Sequence, residues 1–299
     1  EIPLRLVGSE MCIRDRLYLF GASPVVCSSF LEARAHALQP LGESSLYLPY
    51  ATSLRMGRLG YQSDAQSTLA VSYNDLDGYG ASLQEALTQP YPAYETVGVR
   101  NPGGDYNQLS TTLLQIENEF YGTIRPKRTV FSGERPLHAL RERGVQYVEV
   151  RCMDLDPFEP LGISAATARF LDVFLLHCLL TDSPPDSPEE IEVLKRNQNL
   201  AAERGREPGL LLRRGERETT LAQWSAELIA ECAVIAQRLD AETGTPLHTE
   251  SLENAAALAQ DPSRLPSTRV LAAIRNEHDG SFMDLSLIHI SEPTRRRGI

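Results

Sequence analysis

Two stretches alternate between polar and apolar residues: Gln-Ile-Glu-Asn-Glu-Phe-Tyr at 115–121 and Gln-Tyr-Val-Glu-Val-Arg at 146–151. A period of two predicts half-buried strands, because successive side chains point to opposite faces of the pleat. In the first stretch Glu117, Glu119 and Tyr121 share one face, and Ile116 and Phe120 the other. In the second, Tyr147, Glu149 and Arg151 share a face, with Val148 and Val150 opposed. The segment 136–144, Pro-Leu-His-Ala-Leu-Arg-Glu-Arg-Gly, predicts a short helix with proline in its first turn and glycine as its stop.

Upstream, 17–30 is apolar with a Gly/Pro break and reads as a helix end and buried turn. Residues 74–87 predict a short helix, and Pro-Gly-Gly at 102–104 marks a hairpin or exposed loop. After Arg151 the periodicity changes to that of helices. Ser164 is a candidate N-cap for a strongly apolar helix over 165–180, on which His177 reads as a satisfied core histidine. A polar helix covers 189–203. The stripe Leu221, Trp224, Leu228, Ile229, Ile235 and Leu239 predicts one amphipathic helix from Thr220 to Leu239. Strands first and helices afterwards make an α+β protein.

Composition narrows this picture. A chain of 299 residues has ample length for a core, and no run approaches the ~20 apolar residues of a membrane span. A net charge of −11 argues against a general nucleic-acid binder, which needs a basic face. Five scattered cysteines without a Cys-x-x-Cys pair fit free thiols in a reducing cytosol. The two ends are read as extraneous. Leu-Val-Gly-Ser-Glu-Met-Cys-Ile-Arg-Asp-Arg at 6–16 is the translation of a transposon-type sequencing adapter. Leu-Ser-Leu-Ile-His-Ile-Ser-Glu-Pro-Thr-Arg at 285–295 is the translation of its reverse complement. The expected organisation is therefore adapter at 1–16 and 285–299, part of a sheet domain over 17–163, and a helical region over 164–284.

Acids and phenols on two strand faces, joined by a segment holding Arg125, Lys127 and Arg128, point to a site for Mg²⁺ and phosphate. Carboxylate oxygens are the hard ligands that Mg²⁺ prefers, and neighbouring cations stabilise a phosphoryl group in transfer. Strand rise puts Glu149 and Arg151 about 7 Å apart on one face. A cross-strand salt bridge would give the same Glu-x-Arg pattern. The chain has no Gly-x-x-x-x-Gly-Lys-[Ser/Thr], no Gly-x-Gly-x-x-Gly and no His-Glu-x-x-His motif, so any ATP is not held by a P-loop.

Several blocks in order resemble the proteobacterial glutamate–cysteine ligases. They are Tyr-Leu-Phe-Gly-Ala-Ser-Pro (18–24), Tyr-Leu-Pro-Tyr-Ala-Thr-Ser-Leu-Arg (47–55), Gln-Ile-Glu-Asn-Glu-Phe-Tyr (115–121), Ile-Arg-Pro-Lys-Arg (124–128) and Tyr-Val-Glu-Val-Arg (147–151). Arg-Phe-Leu-Asp (169–172) and Glu-Pro-Gly-Leu (207–210) continue the match. The resemblance implies a glutamine-synthetase-like curved antiparallel sheet, here partial, followed by an α-helical C-terminal region. It also implies the cytoplasmic, ATP- and Mg²⁺-dependent ligation of L-glutamate to L-cysteine through γ-glutamyl phosphate.

By the same resemblance Glu149 is a metal ligand and Arg151 the catalytic arginine at the reacting phosphate. Arg55, Tyr61 and Tyr121 line the cysteine pocket, and Arg125, Lys127 and Arg128 face nucleotide or phosphate. The family's acidic N-terminal metal-binding motif is absent, so the chain is expected to be inactive alone. The competing expectations are a non-catalytic helical interaction module and a related ligase using another amine acceptor.

Overall fold

In a computed structural model the described residues are 17–31, 37–60, 69, 71–182, 185 and 187–288. The chain opens with a 3₁₀ turn at Leu17–Phe20, strand β1 (Val25–Cys27), a second 3₁₀ turn at Ser28–Phe30, then β2 (Gln39–Pro40) and β3 (Ser45–Tyr47). Helices α1 (Leu76–Ala86) and α2 (Pro92–Val97) follow, then a 3₁₀ turn at Glu117–Glu119, strand β4 (Ile124–Lys127), α3 (Pro136–Arg143) and β5 (Tyr147–Val150). The second half holds α4 (Ala165–Leu180), α5 (Pro188–Arg204), the β6–β7 hairpin (Leu211–Arg214, Arg217–Thr220) and α6 (Leu221–Glu231). Helices α7 (Ala233–Thr243), α8 (Leu247–Gln260), α9 (Pro266–Asn276) and α10 (Phe282–Ser286) complete it. The fold is α+β, as expected, with small antiparallel sheets. Among the described residues no helix is long and apolar enough to cross a membrane.

By contacts the described chain divides into two units. One takes 71–152 and 178–195; the other takes 17–60, 153–177 and 196–288. In the first unit Asp75 caps α1 by accepting from Gly78 N at 2.6 Å. Helix α1 packs beside α3. The approach is close enough that a Cβ on Gly80 would lie 2.8 Å from Arg141 Nε. Helix α3 runs as the sequence predicts, from Pro136 to a stop at Gly144, whose φ of +69° favours glycine. The buried Tyr73 donates to Ile124 O at 3.3 Å, tying the unit's core to β4.

One strand expectation fails. The stretch 115–121 does not form a strand but a 3₁₀ turn over Glu117–Glu119. Its carboxylates capture main-chain donors, which competes with ladder formation. Glu119 Oε2 accepts from Gln115 N at 2.6 Å, and Glu117 Oε2 from Leu137 N at 2.8 Å. The strand that pairs with β5 is β4, the segment read as a basic connection.

In the second unit β3 lies between β1 and β2, both antiparallel to it. Beneath the sheet, Ala22 and Val25 pack with Val270, Leu271, Ala273 and Ile274 of α9 and with Leu285 of α10. Phe174 stacks on Phe170 at 5.9 Å, and Phe170 meets Phe20 at 5.2 Å. Ser164 caps α4 as predicted, accepting from Thr167 N at 3.0 Å. His177 is buried, 3.4 Å from Glu231 Oε2, as a core histidine.

Thr220 caps α6, accepting from Gln223 N, but the single helix expected over 220–239 is broken into α6 and α7 at the buried Cys232. The segment 49–54 is held by main-chain bonds from both sides. Thr52 N and Ser53 N donate to Ala202 O, Ser23 N to Thr52 O, and Leu54 N to Ser23 O. Arg206 donates to Pro49 O at 2.8 Å and Ala51 O at 3.0 Å. Burial, helped by the like charge of Arg275, pulls its guanidinium down to about 10.

Candidate functional site

The register of the first unit's strand pair sets its chemistry. Arg125 stands opposite Glu149 and Lys127 opposite Tyr147, while Ile124 and Pro126 face Val150 and Val148. Paired residues on adjacent strands share a face, so a cation, an acid, a second cation and a phenol are gathered on one side. Arg125 is 8% exposed, and its Nη2 lies 3.4 Å from Glu117 O. Lys127 Nζ is 3.5 Å from Glu149 Oε2, a half-exposed pair worth ~1 kcal/mol at most. That contact makes no hydrogen bond. Glu149 Oε2 is shut off from solvent with no hydrogen-bond partner, and a shielded carboxylate oxygen of this kind is a candidate cation ligand.

The ladder extends one step beyond β5, where Arg151 N donates to Thr123 O at 2.8 Å. The Arg151 guanidinium lies over the Tyr121 ring, 5.4 Å from its centroid. These two sequence-predicted residues are therefore neighbours. Arg128 is engaged elsewhere: its Nη1 donates to Arg143 O and, at 3.3 Å, to Gly144 O, closing the C-terminal end of α3. Glu117 and Glu119 are likewise spent on main-chain donors. Glu117 also meets Arg135 at 3.3 Å. Of the acids first placed on strand faces, Glu149 alone has a solvent-shielded oxygen without a hydrogen bond.

Arg55 belongs to the second unit. The bonded segment 52–54 delivers it to Asp154: Arg55 Nε donates to Asp154 Oδ1 at 2.8 Å, and Nη2 to Met153 O at 2.5 Å. Asp154 is 7% exposed and also accepts from Ala22 N at 2.9 Å and Ser23 Oγ at 2.7 Å, both on Oδ2. A cavity of about 770 Å³ opens here, with Ser23, Arg55, Asp154, Asp156, Val270 and Phe282 in its wall. Sequence reading assigned no role to Asp154. No local pattern marks it, since its three partners lie about 100 or more residues away in the chain. Tyr61 lies outside the described residues. Among the described residues no three His, Cys, Asp or Glu side chains converge to hold a metal, so Glu149 could supply one hard oxygen ligand but not a complete shell.

Comparison with known proteins gives this arrangement its context. The chain is 51% identical over 273 residues to the glutamate–cysteine ligase of Janthinobacterium sp. (strain Marseille), covering 91% of this chain and 51% of that protein. The Pseudomonas fluorescens (strain Pf-5) glutamate–cysteine ligase is 48% identical over 271 residues, with the same shares covered. The chain thus spans about half the length of the curated relatives it matches.

Among solved structures, the Francisella tularensis glutamate–cysteine ligase in complex with AMP superimposes with a TM-score of 0.85 at 34% identity. That match covers 97% of this chain and 58% of that one. A bifunctional glutathione synthetase from Pasteurella multocida shares the fold, with a TM-score of 0.63 at 22% identity over 94% and 30% of the two chains. The family profile described as glutamate-cysteine ligase matches residues 15–201, which carry the β4–β5 pair, Arg55 and Asp154 alike. By sequence and by fold, the chain belongs to the glutamate–cysteine ligase family.

Proposed function

We propose that this chain is part of an ATP-dependent carboxylate–amine ligase that joins the γ-carboxylate of L-glutamate to the amine of L-cysteine. A γ-carboxylate oxygen attacks the terminal phosphorus of ATP and ADP leaves, giving an acyl phosphate. The cysteine amine then attacks the acyl carbon, the C–O bond breaks, inorganic phosphate departs and the nitrogen loses its proton. The observation that carries the reading is the Arg125–Glu149–Lys127 face with its unsatisfied carboxylate oxygen. The Francisella relative was solved in complex with AMP, which supports nucleotide use.

In this reading Glu149 Oε2 would be one ligand of Mg²⁺, with further ligands needed beyond those the described residues bring together. Mg²⁺, when bound, would neutralise charge on the phosphates. Arg151, steadied over Tyr121, offers its guanidinium to the phosphoryl oxygens, where charge develops in transfer. Lys127 and Arg125 keep the face positive beside the single acid. Arg128, bonded to the end of α3, contributes by fixing the 128–146 excursion and less by touching nucleotide. Arg55 and Tyr121 are assigned to cysteine. The chain alone is expected to be inactive, because among the described residues no set of carboxylates converges with Glu149 to hold a metal.

The test is cysteine-dependent ADP release, followed by a coupled assay in the full-length enzyme and in this chain. Turnover in the former that needs glutamate, cysteine and ATP together supports the reading. ADP release independent of either amino acid would sink it.

A further inference from the structure

We infer that Asp154 is a positioning residue for Arg55, setting the direction of the guanidinium that the proposed function assigns to cysteine. The inference rests on that assignment and adds a residue to it. Asp154 is a buried carboxylate whose two oxygens do different work. Oδ2 accepts from Ala22 N at 2.9 Å and Ser23 Oγ at 2.7 Å, so the carboxylate is bolted to the Ala-Ser turn that precedes β1. Oδ1 accepts from Arg55 Nε at 2.8 Å. A second anchor, Met153 O, takes Nη2 at 2.5 Å.

Two acceptors on adjacent residues, aligned with Nε and Nη2, grip one edge of the planar fork. They leave its orientation no freedom about the last side-chain torsions. The Arg55 side chain remains about one-third exposed beside an Asp154 side chain that is 3% exposed, at the wall of the 770 Å³ cavity. An arginine that served only to neutralise a buried acid would be expected to be buried with it. Here the acid is sequestered while the arginine keeps about a third of its side-chain surface exposed.

The backbone repeats the same arrangement. Leu54 N donates to Ser23 O and Ser23 N donates to Thr52 O, so the turn that holds Asp154 also holds the segment carrying Arg55. Carboxylate and guanidinium are thereby referred to one rigid frame, as a preorganised binding group requires.

The experiment has three arms. In this chain, ¹⁵N spectra should show the Arg55 Nε proton exchanging at least ~10-fold more slowly than that of the exposed Arg238, as a buried charge-assisted bond implies; equal exchange overturns the inference without any variant. In the full-length enzyme, Asp154→Asn keeps an acceptor for Ala22 and Ser23 but loses the one for Arg55. It should raise KM for cysteine by ~10²-fold, with kcat and KM for ATP changed by less than ~3-fold, since misdirection of a binding group acts where that group binds. Arg55→Lys should raise the same KM, and the double variant should be no worse than Arg55→Lys alone. If Arg55→Lys moves the cysteine KM and Asp154→Asn does not, the positioning role is wrong and the assignment of Arg55 survives. If Arg55→Lys leaves it unmoved, the assignment fails and the positioning role fails with it.

Discussion

Arg125 and Glu149 stand directly opposite one another across β4 and β5, yet the acid's Oε2 takes no hydrogen bond from it or from any other described residue. A cross-strand salt bridge would have been the ordinary outcome for such a pair. Instead Arg125 Nη2 turns to Glu117 O at 3.4 Å, and Lys127 approaches Glu149 from the diagonal at 3.5 Å. The acid is thus held beside Lys127 with no hydrogen bond on Oε2.

Glu149→Gln in the full-length enzyme should lower turnover by ~10²-fold or more, as loss of a charge-stabilising group does. The melting temperature should shift by no more than ~4 °C, since the half-exposed Lys127 pair contributes ~1 kcal/mol at most. Steady-state kinetics beside a thermal melt make the comparison. A large fall in stability with intact turnover would make Glu149 a structural acid.

Glu117→Ala should do the reverse. This carboxylate satisfies Leu137 N in the first turn of α3 and meets Arg135, so its loss should cost about 1 kcal/mol. The Mg²⁺ concentration needed for half-maximal turnover should not change. Denaturant melts and a Mg²⁺ titration of the full-length variant check both halves.

Two carboxylates predict acid sensitivity. Burial alone would raise the Asp240 pKa, but the hydrogen bonds it accepts from Thr249 and His248 outweigh that and hold it below the ordinary aspartate value. The bonds from Arg143, with Phe131 N, hold Glu134 down to about 2. Both folded-state values lie below the unfolded ones. Their contribution is therefore complete above about pH 4.5 and is lost as pH falls toward 2. Melting temperature should drop across that window, and Asp240→Asn with Glu134→Gln should flatten the slope while lowering the plateau near pH 7.

Gly21→Ala should destabilise by ~1–3 kcal/mol through overpacking. The added Cβ would sit 2.7 Å from Thr52 O, on the segment that leads to Arg55. The backbone must yield there, so the cysteine KM of the full-length enzyme should rise together with the loss of stability. A melt and a KM determination on one preparation suffice. Unchanged values for both would mean that the 21–54 contact is soft.

Elements fixed by local chemistry were legible in the chain. Helix α3 runs between Pro136 and Gly144, Ser164 and Thr220 are caps, and β5 forms over the alternating residues 147–150. The misreading at 115–121 had a local cause as well. Its alternation is real, but Glu117 and Glu119 use their carboxylates on main-chain N–H groups, and a periodicity count does not register that use. Short strands such as Val25–Cys27 and Ser45–Tyr47 carry too few residues for a period, and their pairing is a long-range event. The same holds for the site. Arg151 and Tyr121 are singled out through blocks of familiar sequence, though not as neighbours, whereas Asp154 acquires its partners only when 22, 23 and 55 are brought to it.

The closure at the base of the β4–β5 pair has a consequence for how such chains vary. Gln146 N donates to Lys127 O, Gln146 Oε1 accepts from Thr129 N, and Arg128 ties itself to the carbonyls that end α3. The register is therefore clamped at the neck of the 128–146 excursion, and its length does not set it. The pairing of Arg125 with Glu149 should survive changes of length between Thr129 and Arg135, at the cost of the bonds that Glu134 makes with Phe131 N and Arg143. That stretch is where a tag or fluorescent reporter should least disturb the Arg125–Glu149 face.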